Sequence, residues 1–171
     1  ASALLNMTGG ETLITRANPT LTAVAPLGLD RDGYFQVYAP MQNENRYTNL
    51  WTGPFYGYER VIETFEMTEK PRRLKPINIY YHTYSASKPA SLRALQRVYD
   101  WALKQPVLPI YASTYIRKVL DFNELGIARE GDGWRIDGGN EVRTLRITPD
   151  MGYPDLARSR GVLGWKDTGE S

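Results

Sequence analysis

The sequence predicts an α/β fold, a parallel sheet or barrel followed by a β-rich segment, and three observations carry that expectation. Short apolar runs alternate with amphipathic helical stretches from about residue 76 to residue 125. Pro and Gly punctuate the joints between them. After Gly126 the texture switches to apolar–polar alternation around glycine turns, which is the pattern of antiparallel strands. A length of 171 residues, with 42% hydrophobic and 23% charged residues, suits one globular domain or one and a fraction.

In chain order, "LTAVAPLGL" (21–29) reads as a buried strand, "DRDG" as a turn and "YFQVYAP" (34–40) as a second short strand. The polar stretch that follows carries Tyr47, Trp51, Phe55, Tyr56 and Tyr58 on a backbone rich in Asn, Gly and Pro, so it predicts an irregular aromatic loop. Residues 58–70 place Tyr58, Val61, Ile62 and Phe65 three and four apart, a helix that Pro71 ends. Next come "PINIYYH" as a strand, "SLRALQRVYDWALKQ" as a helix, "PVLPIYAS" as a strand and "TYIRKVLDFNELG" as a helix. The first of these helices sets Leu92, Leu95, Val98, Tyr99 and Ala102 on one face. The second turns Ile116, Val119 and Leu120 inward, with Ser113 or Thr114 as its cap and Gly126 at its end. The change of texture places a boundary there, giving a βα portion over 1–125 and a β-rich segment over 126–171.

Several function classes fall away on composition. Twenty-one Lys and Arg are dispersed among 19 Asp and Glu for a net charge of +2, which leaves no polybasic arm for nucleic acid or anionic lipid. With no cysteine there is no thiol nucleophile, disulfide or thiolate metal site, and one histidine cannot build a multi-histidine cage. No apolar run approaches 18 residues, so no membrane span is expected. The opening "ASALLNMTGGETLI" and the closing "GWKDTGES" read as ends of an excised piece of a longer protein.

The one histidine, His82, ends the run "INIYYH", and strand ends are where α/β sheets and barrels assemble active sites. Alternation puts Asn78, Tyr80 and His82 on one face and Ile77, Ile79 and Tyr81 on the other. The same histidine could equally bond a backbone carbonyl in the core. Asp30 is the best-placed carboxylate, with a simpler role as a turn former. Asp100, Asp121 and Glu124 lie on helices and are expected in solvent, and Asp132, Asp137 and Asp150 are turn residues. In the loop "NENRYTNLWTGPFYGY", Arg46 offers a donor to sugar hydroxyls or an acetamido group, while Trp51 or Tyr56 offers a ring to stack on a pyranose; Trp51 and Phe55 could also cap the fold's end.

The stretch "RYTNLWTGPFYGYERVIETFEMTEKPRRLKPINIYYHTYSASKPASLRALQRVYDWALKQPVLPIYASTYI", with "GWRI", "VRTLRI" and "RSRGVLGW" after it, resembles the deacetylase region of PelA-type proteins of Pel exopolysaccharide biosynthesis, within the NodB-like polysaccharide deacetylases. The resemblance implies the C-terminal portion of a distorted (β/α) barrel of polysaccharide-deacetylase type. "IYYH" is similar to the group's Leu-x-Ile-His strand, which makes His82 a general acid, with Tyr81 where isoleucine is usual. "GPFYG" (53–57) echoes the group's Arg-Pro-Pro-Tyr-Gly loop with Gly53 at the arginine position, which leaves the orienting arginine open between Arg46 and Arg60. Tyr80 and Tyr84 join Arg46, Trp51 and Tyr56 as substrate-lining residues. A divalent metal such as zinc is implied for the complete enzyme, its aspartate and paired-histidine ligands lying upstream of this segment, with none bound by the segment alone. The resemblance further implies an acetylated hexosamine polymer as substrate, companion proteins of an exopolysaccharide secretion complex and a periplasmic location. A non-catalytic carbohydrate-binding or assembly module is the competing expectation; a glycoside hydrolase would need two strand-end carboxylates, where only Asp30 is placed.

Overall fold

The computed structural model describes residues 5–10, 16, 27–39, 44–48, 54–69, 73 and 75–169. They form a mixed α/β structure with four helices and two small sheets. The first sheet has the order β1 (Thr8–Gly10), β3 (Tyr34–Ala39), β2 (Gly28–Arg31). Most of the strand expected over 21–29 lies outside the described residues. The turn between β2 and β3 forms as expected: Arg31 pairs with Tyr34, and Asp32 and Gly33 sit at φ 51° and 81°. Positive φ at both central residues is what a two-residue hairpin with right-handed strand twist requires.

Residues 76–125 depart from the parallel βα sheet that the sequence predicts. Helix α3 (Pro89–Leu103) and helix α4 (Ala112–Asn123) are present, but neither 76–82 nor 107–111 joins a strand ladder. Among the described residues the one parallel pairing is β1 with β3. In 76–82 the predicted alternation nevertheless holds. Ile77, Ile79 and Tyr81 pack against the main hydrophobic cluster, while the ring of Tyr80 lies 6.1 Å from that of His82. Local sequence thus sets which way the side chains point, whereas strand pairing needs a neighbouring backbone. In 107–111 the apolar side chains are turned to solvent, Leu108 and Tyr111 by 85% and 83%.

The main cluster joins Tyr47, Tyr58, Val61, Phe65, Leu95 and Val98. Tyr47 comes from α1 (Glu44–Tyr47), a single turn. The helix expected over 58–70 is a 3₁₀ turn at Phe55–Arg60 that runs into α2 (Val61–Met67). Gly57 is where this turn meets α1: a Cβ there would stand 2.3 Å from the carbonyl oxygen of Tyr47, so only glycine permits the approach. Arg73 closes α2 by donating from Nη2 to the Phe65 carbonyl at 2.7 Å, a cation at the negative end of a helix. On α3 the buried residues are Ala94, Leu95, Val98 and Ala102, while Leu92 and Tyr99 of the predicted face are about two-fifths exposed. The buried face of the helix is thus shifted toward Ala94, and the helix packs against the 3₁₀ turn.

A second cluster packs Ile116 and Val119 of α4 on Val37 of β3. Helix α4 is preceded by Tyr111, not by the predicted Ser113 or Thr114 cap, and no side chain caps it. Gly126 opens a strand rather than closing the helix. β4 (Gly126–Glu130) and β5 (Gly133–Asp137) form the antiparallel hairpin that the alternation predicts, with Gly131 at φ 62° in its turn. Asp121, expected in solvent, is buried instead and accepts the backbone N–H groups of Asn140, Glu141 and Val142 at 3.1, 3.0 and 2.7 Å. Those bonds cross the boundary placed at 126. No helix among the described residues is long and apolar enough to cross a membrane.

Two titration tests follow from these placements. The N–H of Val142, aided by those of Glu141 and Asn140, holds the Asp121 carboxyl below its ordinary 3.8. Its contribution is present above the unfolded value and is lost as pH falls through the lower folded one. Hydrogen exchange should therefore show Val142 protected at neutral pH and unprotected in Asp121→Ala, which removes both acceptor oxygens; equal protection in that variant would contradict the staple. Burial pushes the hydroxyls of Tyr47 and Tyr115 from 10.0 up to about 12. The neutral forms favour folding, so this stability is complete below pH 10.0 and lost as pH rises through about 12. Absorbance of these phenolates should thus appear together with alkaline unfolding, and their ionisation in a folded chain near pH 10 would refute the burial account.

Candidate functional site

The site begins with a residue that sequence reading passed over. Glu44 opens the single turn α1 inside the aromatic loop and is 3% exposed. A buried carboxylate is costly unless donors surround it. Three converge on its Oε1: the backbone N–H of His82 at 2.7 Å, the His82 ring Nδ1 at 3.1 Å and the Ser85 hydroxyl at 2.6 Å. A carboxylate oxygen accepts hydrogen bonds, so the pairing with Oε1 places a proton on Nδ1, and Nε2 is the other nitrogen of the ring.

Local structure explains how the chain reaches this geometry. The backbone is extended at His82 (φ −95°, ψ 138°) and then tightens into a 3₁₀ turn at Thr83–Ser87, with Ser85 N–H donating to the His82 carbonyl at 2.9 Å. That turn swings Ser85 back beneath the imidazole. One residue earlier, Tyr84 lays its ring on that of His82 with centroids 5.2 Å apart and planes 26° from parallel. The preceding strand-like segment is tied down by Tyr58, whose hydroxyl donates to the Tyr80 carbonyl at 3.0 Å. Burial drives the Tyr58 hydroxyl far above the usual phenol range, so it stays a neutral donor. On the other side, Thr48 fixes α1 by donating its hydroxyl to the Glu44 carbonyl at 2.8 Å.

Of the residues singled out from sequence, the structure brings three together: Tyr80, His82 and Tyr84 form a continuous run of ring contacts. The His82 side chain is 36% exposed and Tyr84 is 60% exposed, so the run faces solvent. Arg46 lies two residues after Glu44 on α1 and is exposed. Tyr56 is 60% exposed on the 3₁₀ turn and shares no ring contact with His82. Trp51 lies outside the described residues, as does Gly53 of the "GPFYG" loop. Asp30 is exposed on β2, paired across the ladder with Phe35, in the pairing of a hairpin residue. Glu44 left one trace in the sequence, the acidic residue in "NENRY", but nothing local announces that it meets a residue 38 positions away.

Among the described residues no three His, Cys, Asp or Glu side chains gather where a metal ion could be held. The described residues therefore do not by themselves form a seat for the divalent ion that the resemblance implies. Comparison with protein-family models, with curated proteins and with solved structures gives no match.

The geometry makes a direct expectation for His82. Glu44→Ala removes the acceptor of its amide and ring, so its backbone hydrogen exchange should accelerate at least about tenfold, while Arg46→Ala leaves it unchanged. Unaltered exchange at His82 in a folded Glu44→Ala chain would mean that the carboxylate does not hold the loop.

Proposed function

We propose that this chain is the proton-donating and substrate-lining part of a polysaccharide N-deacetylase, a C-terminal portion of a deacetylase (β/α) barrel acting on an N-acetylhexosamine exopolysaccharide of the Pel type. The observation that carries the reading is Glu44 Oε1 at 3.1 Å from His82 Nδ1. A carboxylate on Nδ1 fixes the tautomer and ring orientation and stabilises the imidazolium, which is what a general-acid histidine needs. The extended text "RYTNLWTGPFYGYERVIETFEM" to "PVLPIYASTYI" supplies the substrate class through its resemblance to the deacetylase region of PelA-type proteins.

In this reading His82 acts at one bond. As the C–N bond of the tetrahedral adduct breaks, the electron pair stays on nitrogen and the proton on Nε2 moves to it, so the sugar leaves as a free amine and His82 as neutral imidazole. Tyr84 and Tyr80 flank the imidazole and offer ring faces to a pyranose. The proposal assigns the divalent metal and its ligands to residues outside this chain, and it places the complete enzyme in the periplasm with other proteins of an exopolysaccharide secretion complex.

A second reading is favoured by the exposed rings of Tyr56 and Tyr84, each 60% open to solvent. Such rings also suit a non-catalytic module that holds a polysaccharide. The two separate on turnover. In the complete protein His82→Ala should lower acetate release by about 10²-fold or more with metal content retained, and Glu44→Gln by about 10- to 100-fold. Turnover near that of the parent in both variants would leave the binding module as the surviving reading.

A further inference from the structure

A cavity of about 300 Å³ lies beside the Glu44–His82 pair, and His82 is not among its walls. An occupant therefore meets Tyr84 and Ser85 rather than the imidazole. The size is at the small end of ligand sites, which run from about 300 to 1,000 Å³, and gives room for one sugar ring.

Most of the wall is apolar, formed by Tyr58, Tyr81, Tyr84 and Leu95. Aromatic walls of this kind answer the C–H face of a saturated ring. The polar groups are few and of both kinds. Lys88 brings protons, whereas Ser85 and Ser87 bring lone pairs, because their own protons go to Glu44 Oε1 at 2.6 Å and to the Tyr84 carbonyl at 2.7 Å. The Ser91 hydroxyl can serve either way. Glu44 adds no open acceptor, since three donors hold Oε1 and Oε2 is buried. Charge sorts the ligand further. In a mostly apolar cavity an ammonium is opposed by Lys88, and an anion by the field of the buried Glu44 carboxylate. A neutral ring whose substituents both donate and accept meets neither penalty.

We propose that the cavity is a subsite for a neutral, N-acetylated pyranose, the neighbour along the polymer of the residue whose amide is cleaved, and that Lys88 turns away the deacetylated form. The acetamido group supplies one donor, one acceptor and a methyl for the apolar wall. Placing this ring in a polymer, next to a scissile amide, rests on the deacetylase reading. In that setting the subsite senses the acetylation of the surrounding chain. Cleavage beside an existing free amine is disfavoured, so the amines produced are spaced rather than clustered.

Tyr84 walls the cavity and lays its ring on His82 with centroids 5.2 Å apart, so the ring protons of the chain's single histidine report occupancy by NMR. N-acetylglucosamine at neutral pH should shift them saturably. Glucosamine and glucuronate, a cationic and an anionic relative of the same ring, should bind at least about tenfold more weakly at matched ionic strength. Ser91→Leu fills the cavity, leaves the three bonds to Oε1 in place and should abolish the response. Lys88→Ala should bring glucosamine to within about threefold of N-acetylglucosamine. The proposal is overturned by the absence of a saturable response to N-acetylglucosamine, or by its persistence in folded Ser91→Leu. Glucosamine or glucuronate binding as tightly as N-acetylglucosamine overturns it too, as does glucosamine remaining equally weak in Lys88→Ala. Acetate release by the complete protein tests the deacetylase reading separately. Binding without turnover leaves the subsite standing in a non-catalytic module, and turnover without binding removes the subsite alone.

Discussion

A single buried carboxylate organises the region around His82. Glu44 is almost wholly removed from water, and that is tolerable only because a backbone N–H, a ring nitrogen and a hydroxyl converge on Oε1. Those donors come from the 82–85 turn, so the requirement to satisfy Glu44 pins that turn to α1. In the other direction, the turn fixes the imidazole. The placement of the imidazole and local stability are here the same set of bonds, and no substitution at Glu44 can alter one without the other.

The surrounding packing serves that arrangement through aromatic side chains that are polar at one end. Tyr58 and Tyr47 meet edge to face at 5.9 Å in the main cluster, and each sends its hydroxyl to a defined partner, the Tyr80 carbonyl and the Thr64 hydroxyl. Phe65 stacks on Trp101 at 5.5 Å beneath them, which couples α2 to α3. The wealth of tyrosine in the composition is therefore partly structural. Tyr47, Tyr58 and Tyr81 build the core, whereas Tyr84 and Tyr56 remain at the surface.

Legibility in the sequence follows the range of the interaction that decides each feature. Helices α3 and α4, the Asp32–Gly33 turn and the β4–β5 hairpin depend on neighbours a few residues away, and periodicity and turn chemistry reveal them. The alternation of Ile77, Ile79 and Tyr81 against Tyr80 and His82 was legible for the same reason. Strand pairing was not, because an apolar run such as "PVLPIYAS" says nothing about whether a partner backbone lies beside it. Glu44 and Asp121 were missed for a related cause: each is an ordinary polar residue until donors 38 and about 20 positions away close on it.

Those two buried acids differ in a way that bears on function. Asp121 has both oxygens engaged, Oδ1 by Asn140 and Oδ2 by Glu141 and Val142, so its burial is fully compensated and its role is to fasten one segment to another. Among the described residues, Glu44 gathers three donors on one oxygen and none on the other. A carboxylate retained only for fastening would gain from a donor on its second oxygen, and among the described residues none reaches it. Such a half-satisfied group holds an electrostatic demand in reserve at Oε2, on the same carboxylate whose other oxygen orients the His82 ring.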